Sequence, residues 1–229
     1  MMLLYIPGLL LLLVTLPPHH GQTAIPASQV TAPEAAFRRG SSFIELSSTL
    51  VLSQGSLLGF SFRTCHPAGQ LVKQYGDIHN SFLLSLTNQG AVKLEVKSGE
   101  LNRVEEVGTG LADGAWHTVR VGVSQGRTTL CLSVDSEEEC NPPRAGPSVL
   151  NPQGEDTTKR LEGVESLLQA LNLTGSSSMV LGSGLVGCVR EGPGVRLTTG
   201  QVQTQVGVDW GACLLPQTCQ GEYTLYTIY

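Results

Sequence analysis

LADGAWHTVRVGVSQGRTTLCLSVD, residues 111–135, decides the fold. Val119, Val121 and Val123 alternate with Thr118, Arg120 and Gly122, and Leu130, Leu132 and Val134 alternate with Thr129, Cys131 and Ser133. A period of two puts each apolar set on one face of a strand. Ser124-Gln125-Gly126-Arg127 supplies the turn, where Gly126 can take a positive φ. The stretch therefore predicts a β-hairpin with one face buried and one wet. Asp113-Gly114 is the turn that launches it, and Trp116 is expected to anchor in the core beside it.

Other segments repeat the pattern. Leu58, Phe60 and Phe62 alternate with Gly59, Ser61 and Arg63, and Pro67-Ala68-Gly69 breaks the chain before Gln70-Leu71-Val72. Phe82 to Leu86 and Ala91 to Val96 form a second hairpin, with Val92, Leu94 and Val96 facing in and Lys93, Glu95 and Lys97 facing out. Ala36 to Leu46 opens the domain as a strand, flanked by Arg38-Arg39, read as a solvated pair. Between 141 and 178 the alternation stops. Asn141 to Pro147 is turn-rich, and Leu161, Val164, Leu167, Leu168 and Leu171 recur at helical spacing, with Thr157 and Thr158 as candidate N-caps. The expectation is an insertion carrying a short amphipathic helix over a sheet edge.

The chain has 229 residues, 41% apolar and only 14% charged, with a net charge of −5. That composition supports a real core and disfavours nucleic acid as a partner, which needs a dense basic surface. The apolar run at residues 3–16 is too short for a comfortable membrane span and fits the core of a secretory signal peptide. The organisation expected is a signal peptide at 1–22, a linker at 23–35, one domain at 36–214 and a tail at 215–229. No further stretch is long and apolar enough to span a bilayer, so the mature chain is expected to be secreted, extracellular and without a transmembrane segment. Six cysteines suit an oxidising compartment. Cys131 and Cys140 can close a disulfide across the acidic tip Asp135 to Glu139. Cys65 and Cys219 either pair or leave Cys219 for an intermolecular bond. Asn172-Leu173-Thr174 is a glycosylation triplet. There is no HExxH, GxSxG, P-loop or CxxC, and His66, His79 and His117 stand in no catalytic arrangement, so enzymatic activity is not expected.

Three separated wordings resemble one family. They are Phe60-Ser61-Phe62-Arg63-Thr64, then Asp113-Gly114-x-Trp116-His117-x-Val119-x-Val121 with Val134-Asp135, then Leu181-Gly182-Ser183 with Gly187-Cys188-Val189-Arg190. They are similar, in this order, to laminin G-like domains, found in laminins, neurexins, Crumbs proteins and sex-hormone-binding globulin. The resemblance spans roughly residues 36–214. It implies an all-β, concanavalin-like jelly-roll sandwich of two antiparallel sheets, and a Cys188–Cys213 disulfide contributing roughly 3–4 kcal/mol. Many members hold calcium with an aspartate before the strand at 82–86. Here Asp77 and Asn80 are the only comparable donors, a weak set for an ion that wants several oxygens. The steroid-carrying member has a serine and an aspartate roughly where this chain has Gly59 and Ser81, which argues against a steroid site. The function implied is a non-enzymatic extracellular module that binds a protein or a glycan in adhesion, matrix or receptor contact. The alternative is a carrier of a small apolar ligand between the sheets. No cofactor is expected beyond a weakly held calcium ion.

Overall fold

A computed structural model describes residues 33–47, 57–75, 80–124, 129–136, 157–164, 178–198, 200–214 and 219. Strands are numbered in chain order. One sheet runs β10 (Thr158–Glu162), β9 (Thr129–Val134), β8 (His117–Val123), β3 (Leu57–Thr64), β12 (Gly187–Arg190), β1 (Glu34–Phe37) and β14 (Val208–Trp210). The other runs β13 (Val202–Val206), β2 (Phe43–Leu46), β11 (Met179–Leu181), β4 (Gly69–Tyr75), β5 (Asn80–Leu86), β6 (Val92–Ser98) and β7 (Leu101–Val107). All the strand pairings within the two sheets are antiparallel.

The quoted hairpin is the β8–β9 pair. Val119 faces Val134, Val121 faces Leu132 and Val123 faces Leu130, and all six are buried. Ser124 closes the loop from both sides: its N–H donates to the Thr129 carbonyl at 3.0 Å and its hydroxyl accepts the Thr129 N–H at 3.1 Å. Leu58, Phe60 and Phe62 of β3 lie beside Val121, Val119 and His117. They meet Phe82, Leu84, Leu94 and Val96 of the second sheet in one apolar core. Phe37, Phe60, Phe62 and Phe82 are its largest fully buried side chains. Burying a large apolar side chain contributes about 1.5–3 kcal/mol, so alternation on facing strands is what holds the layers together.

Three segments depart from the sequence expectation. The opening stretch 36–46 is two strands in different sheets: β1 pairs with β12, and β2 pairs with β11. The chain crosses between layers at 38–42, where the Ser42 N–H donates to the Arg39 carbonyl at 2.9 Å. Apolar residues continue on both sides of the crossing because Phe37 and Ile44 enter the same core from opposite layers. The helix expected to start at Thr157 or Thr158 is replaced there by strand β10, which pairs with β9 from Thr158–Ser133 to Glu162–Thr129. Leu161 and Val164 are both buried at a separation of three. A bend at Gly163, with φ 68°, breaks the strand's alternation and lets Val164 be buried like Leu161 without a helix. Leu167, Leu168 and Leu171 lie outside the described residues. Lastly, Trp116 is only half-buried rather than a core anchor; its partner is described below.

Candidate functional site

The launch turn is built by its own side chains. The Asp113 carboxylate accepts the Ala115 N–H at 2.7 Å, the local bond that makes aspartate a turn former. Gly114 takes φ 85°, its N–H donates to the Thr64 carbonyl at 3.0 Å, and its carbonyl accepts from Arg63 Nε at 2.6 Å. The end of β3 thus grips the start of β8. Arg63 is buried, and its head group is occupied in holding this turn.

His117 opens β8 and is clamped at both ring nitrogens. Nε2 lies 3.0 Å from the Asp113 carboxylate and Nδ1 2.7 Å from that of Asp135. Asp135 also accepts the Thr118 N–H at 2.7 Å and donates its own N–H to the Thr118 carbonyl at 2.8 Å. It does so at φ 53°, a left-handed conformation that aspartate tolerates better than most residues. The His117 ring centroid sits 5.7 Å from that of Phe62. Burial opposes the imidazolium, but hydrogen bonds and charge from Asp135 and Asp113 outweigh it and raise the pKa above 6.5. Only the charged ring offers a donor at both nitrogens, as two acceptors demand. Asp113 is correspondingly held below 3.8: burial raises it, and the Ala115 N–H and His117 more than compensate.

This clamp makes a pH prediction with a definite sign. Because the folded-state pKa of His117 is raised, its contribution is complete below about 6.5 and is lost as pH climbs through the higher folded value. His117→Gln is therefore expected to melt well below the parent at pH 6, with the gap narrowing as pH rises toward 8.5. A gap that widens over the same series, read by thermal denaturation, would contradict the charged clamp.

The third wording joins the same end of the sheet. The Arg190 guanidinium carbon lies 4.1 Å from the Trp116 ring centroid, a cation–π stack on the half-buried indole. Arg190 also forks onto Glu34, with Nη2 at 2.5 Å and Nε at 3.1 Å from Oε1. Burial would raise the Glu34 pKa, but Arg190 and the Cys213 N–H, which donates to Oε2 at 2.8 Å, lower it overall. Cys188 and Cys213 are disulfide-bonded with Cα atoms 6.0 Å apart. One run of contacts therefore ties Arg63 and Thr64 to Gly114, and Trp116 through Arg190 and Glu34 to Cys213. The arrangement holds elements in place; with both His117 nitrogens engaged, its ring has no open position to act as a base.

The other sequence candidates are distributed as follows. Cys65 and Cys219 form a disulfide that closes a separation of 154 residues and fastens the chain near its end to the β3–β4 turn. Cys131 is disulfide-bonded. Cys140, Asp77 and Asn172 lie outside the described residues. Asn80 opens β5 opposite Ser98. Among the described residues no group of three His, Cys, Asp or Glu is placed to hold a metal ion. Gly59 points its missing side chain toward Pro193 and Arg120, on the outer side of its sheet. Ser81 shares the outward parity of Leu83 and Ser85. Neither residue of the steroid comparison therefore faces the space between the sheets.

A groove of about 360 Å³ lies where three turns meet, lined by Gly40, Gly69, Gln70, Ser85, Ser183 and Gly184 among others. The turns are bonded together: the Gly184 N–H donates to the Gly40 carbonyl at 3.0 Å and the Gln70 N–H to the Ser183 carbonyl at 2.9 Å. A Cβ on Gly69 would meet the Gly184 carbonyl oxygen at 2.9 Å, so the backbones approach as only glycine allows. Sequence reasoning missed this groove because its walls come from distant turns together with Leu83, Ser85 and Leu86 of β5.

Two antiparallel sheets with this connectivity, stapled at one end by Cys188–Cys213, define a concanavalin-like sandwich of the laminin G type. The chain belongs to the laminin G domain family, whose model matches residues 62–191. The LG1–3 region of the laminin α2 chain is similar in structure, with a TM-score of 0.58 at 14% identity, covering 79% of this chain and 35% of that one. Domains LG4–5 of the mouse laminin α1 chain align with a TM-score of 0.49 at 15% identity, covering 79% of this chain and 47% of that one. The chain thus spans between about a third and a half of those structures. No curated protein is significantly similar to the chain in sequence. Laminin G domains are binding modules, and membership together with two disulfides points to an extracellular location. Among the described residues no helix is long and apolar enough to cross a membrane.

Proposed function

We propose that this protein is a secreted, non-enzymatic binding module that recognises an extracellular protein or glycan in adhesion, matrix or receptor contact. Family membership across residues 62–191 carries the reading. In it, residues 1–22 are a signal peptide, 23–35 a linker, 36–214 the laminin G domain and 215–229 a tail, with a glycan on Asn172. The contact surface is the loop rim with its three-turn groove, together with the 141–178 insertion, since loops on a rigid sandwich are where such domains carry specificity. Calcium, where it acts, is held near Asp77 and Asn80.

Expression in secreting animal cells tests the reading. The protein is expected in the medium, shortened at its N-terminus, with a mass that falls on Asn172→Gln. Applied to immobilised receptors, matrix proteins and glycans, it is expected to bind saturably. Loss of that binding in chelator assigns calcium to the contact; binding that survives chelator removes the metal and keeps the module. A protein retained inside the cell contradicts secretion.

A further inference from the structure

We propose that the corner formed by β13 and β14 is a glycan-binding surface, on which the Trp210 indole takes the apolar face of a neutral pyranose ring. The proposal rests on the reading of the chain as a binding module, and it names a surface which that reading does not use. β13 and β14 stand at the ends of their sheets and are joined through Gly207, so the corner lies on the side of the sandwich. Trp210 is 42% exposed. The chain has two tryptophans. Trp116 lies under the Arg190 guanidinium, whereas among the described residues no ring or cation is stacked on Trp210. Its Nε1–H donates to the Gln205 side-chain oxygen at 2.7 Å. Trp210 pairs with the buried Ala35 and Gln205 with the buried Ile44, so this bond runs from one sheet to the other. The indole is thereby held while it stays exposed, and an anchor fixed before binding gives up little freedom on contact.

The groups around the ring match the chemistry of a sugar. A pyranose presents C–H bonds on one face and hydroxyls around its rim. The C–H face fits the electron-rich face of an indole, and the hydroxyls need donors and acceptors beside it. Gln205 accepts the indole N–H with its oxygen, which leaves its amide N–H groups as donors. Gln203 and Thr204 beside it are exposed and add donors and acceptors. Asp209 precedes Trp210 on β14 and pairs with Arg38, and both side chains are more than half exposed. That pair offers guanidinium donors and carboxylate acceptors while cancelling in charge, which favours an uncharged sugar over a sulfated or carboxylated one. Val206 and Leu214 are also exposed, at 45% and 81%. They stand in the chain among Gln203, Thr204, Gln205 and Asp209, so the corner lacks the continuous apolar centre of a protein interface.

The test applies the full secreted chain, in chelator, to an array of neutral oligosaccharides ending in galactose, N-acetylglucosamine, mannose or fucose. Sialylated and sulfated glycans and immobilised receptor and matrix proteins stand beside them. The wild type is expected to bind at least one neutral glycan saturably and to keep that binding in high salt. Trp210→Ala is expected to weaken it by roughly tenfold or more, and Trp210→Phe, which keeps a ring, to fall between the two, each with a cooperative melting transition. Gln205→Ala leaves the indole in place but unfastens it and removes the amide, and is expected to cost roughly threefold, which decides the matter if Trp210→Ala does not fold. A wild type that binds no neutral glycan overturns the proposal; if it still binds a receptor or matrix protein, the broader reading as a binding module stands. Neutral-glycan binding left unchanged by these substitutions overturns it too, as does binding confined to sialylated or sulfated glycans and lost in salt.

Discussion

Gly182→Ala is expected to destabilise the domain by about 3 kcal/mol or more, combining left-handed backbone strain with overpacking. Gly182 ends β11 at φ 74°, and its N–H donates to the Leu71 carbonyl at 3.0 Å. A Cβ there would lie 2.2 Å from the Phe37 ring. Phe37 is 2% exposed and sits in the core beside β2 and β12 residues, so its ring has no free direction in which to yield. Gly110→Ala separates the two contributions. Gly110 takes φ 65°, but a Cβ would find no atom within 4 Å. It is expected to cost only about 1 kcal/mol, the backbone strain alone. Urea unfolding of both variants checks this; equal losses would mean that the Phe37 contact does not matter.

Removing the Cys188–Cys213 bridge, as Cys188→Ala with Cys213→Ala, is expected to cost about 3–4 kcal/mol for a closed loop of this length. The sequence separation is 25 residues. The effect extends beyond chain entropy. The Cys213 N–H is one of the contacts on Glu34, and Glu34 in turn holds Arg190 over Trp116. Loosening Cys213 also frees β14, a sheet edge that pairs only with β1 among the described strands. Denaturant unfolding at neutral pH should show the loss, and amide exchange should rise first in β14 and β1. An unchanged unfolding midpoint would show that the contacts around Glu34 hold this corner without the bridge.

The parts legible in the sequence are those whose residue types alternate. β5 and β6 alternate because half of each strand meets the core and half is more open; β3, β8 and β9 alternate in residue type, but Arg63, Gly122, Cys131 and Ser133 on their outer face are buried too, so the hairpin does not have the wet face expected of it. β7 and β13 carry no such signal. Their burial runs exposed on both faces over most of their length, so neither strand carries an alternation of large apolar and polar residues that marks a core face. β10 was concealed differently: Leu161 and Val164 are both buried three apart across a bend at Gly163, and spacing alone cannot separate that from one turn of helix. Of the contacts that join the three resembling wordings, the Asp113 turn follows from local chemistry. The Arg190 stack on Trp116 and the hydrogen bond between His117 and Asp135 depend on residues brought together from separate segments, whereas the hydrogen bond between His117 and Asp113 is local, spanning four residues. The indole was read as core because large aromatics bury most area; a neighbouring arginine keeps it at the surface instead.

The most direct measurement of the account is a binding isotherm of the secreted protein against an array of extracellular receptors, matrix proteins and glycans, run beside the same protein reduced and alkylated. A module whose contact surface is set by the sandwich should bind at least one component saturably in the native form and lose that binding when Cys188–Cys213 and Cys65–Cys219 are broken. A natively folded protein that binds nothing on the array, or one that binds equally well after reduction, would contradict it.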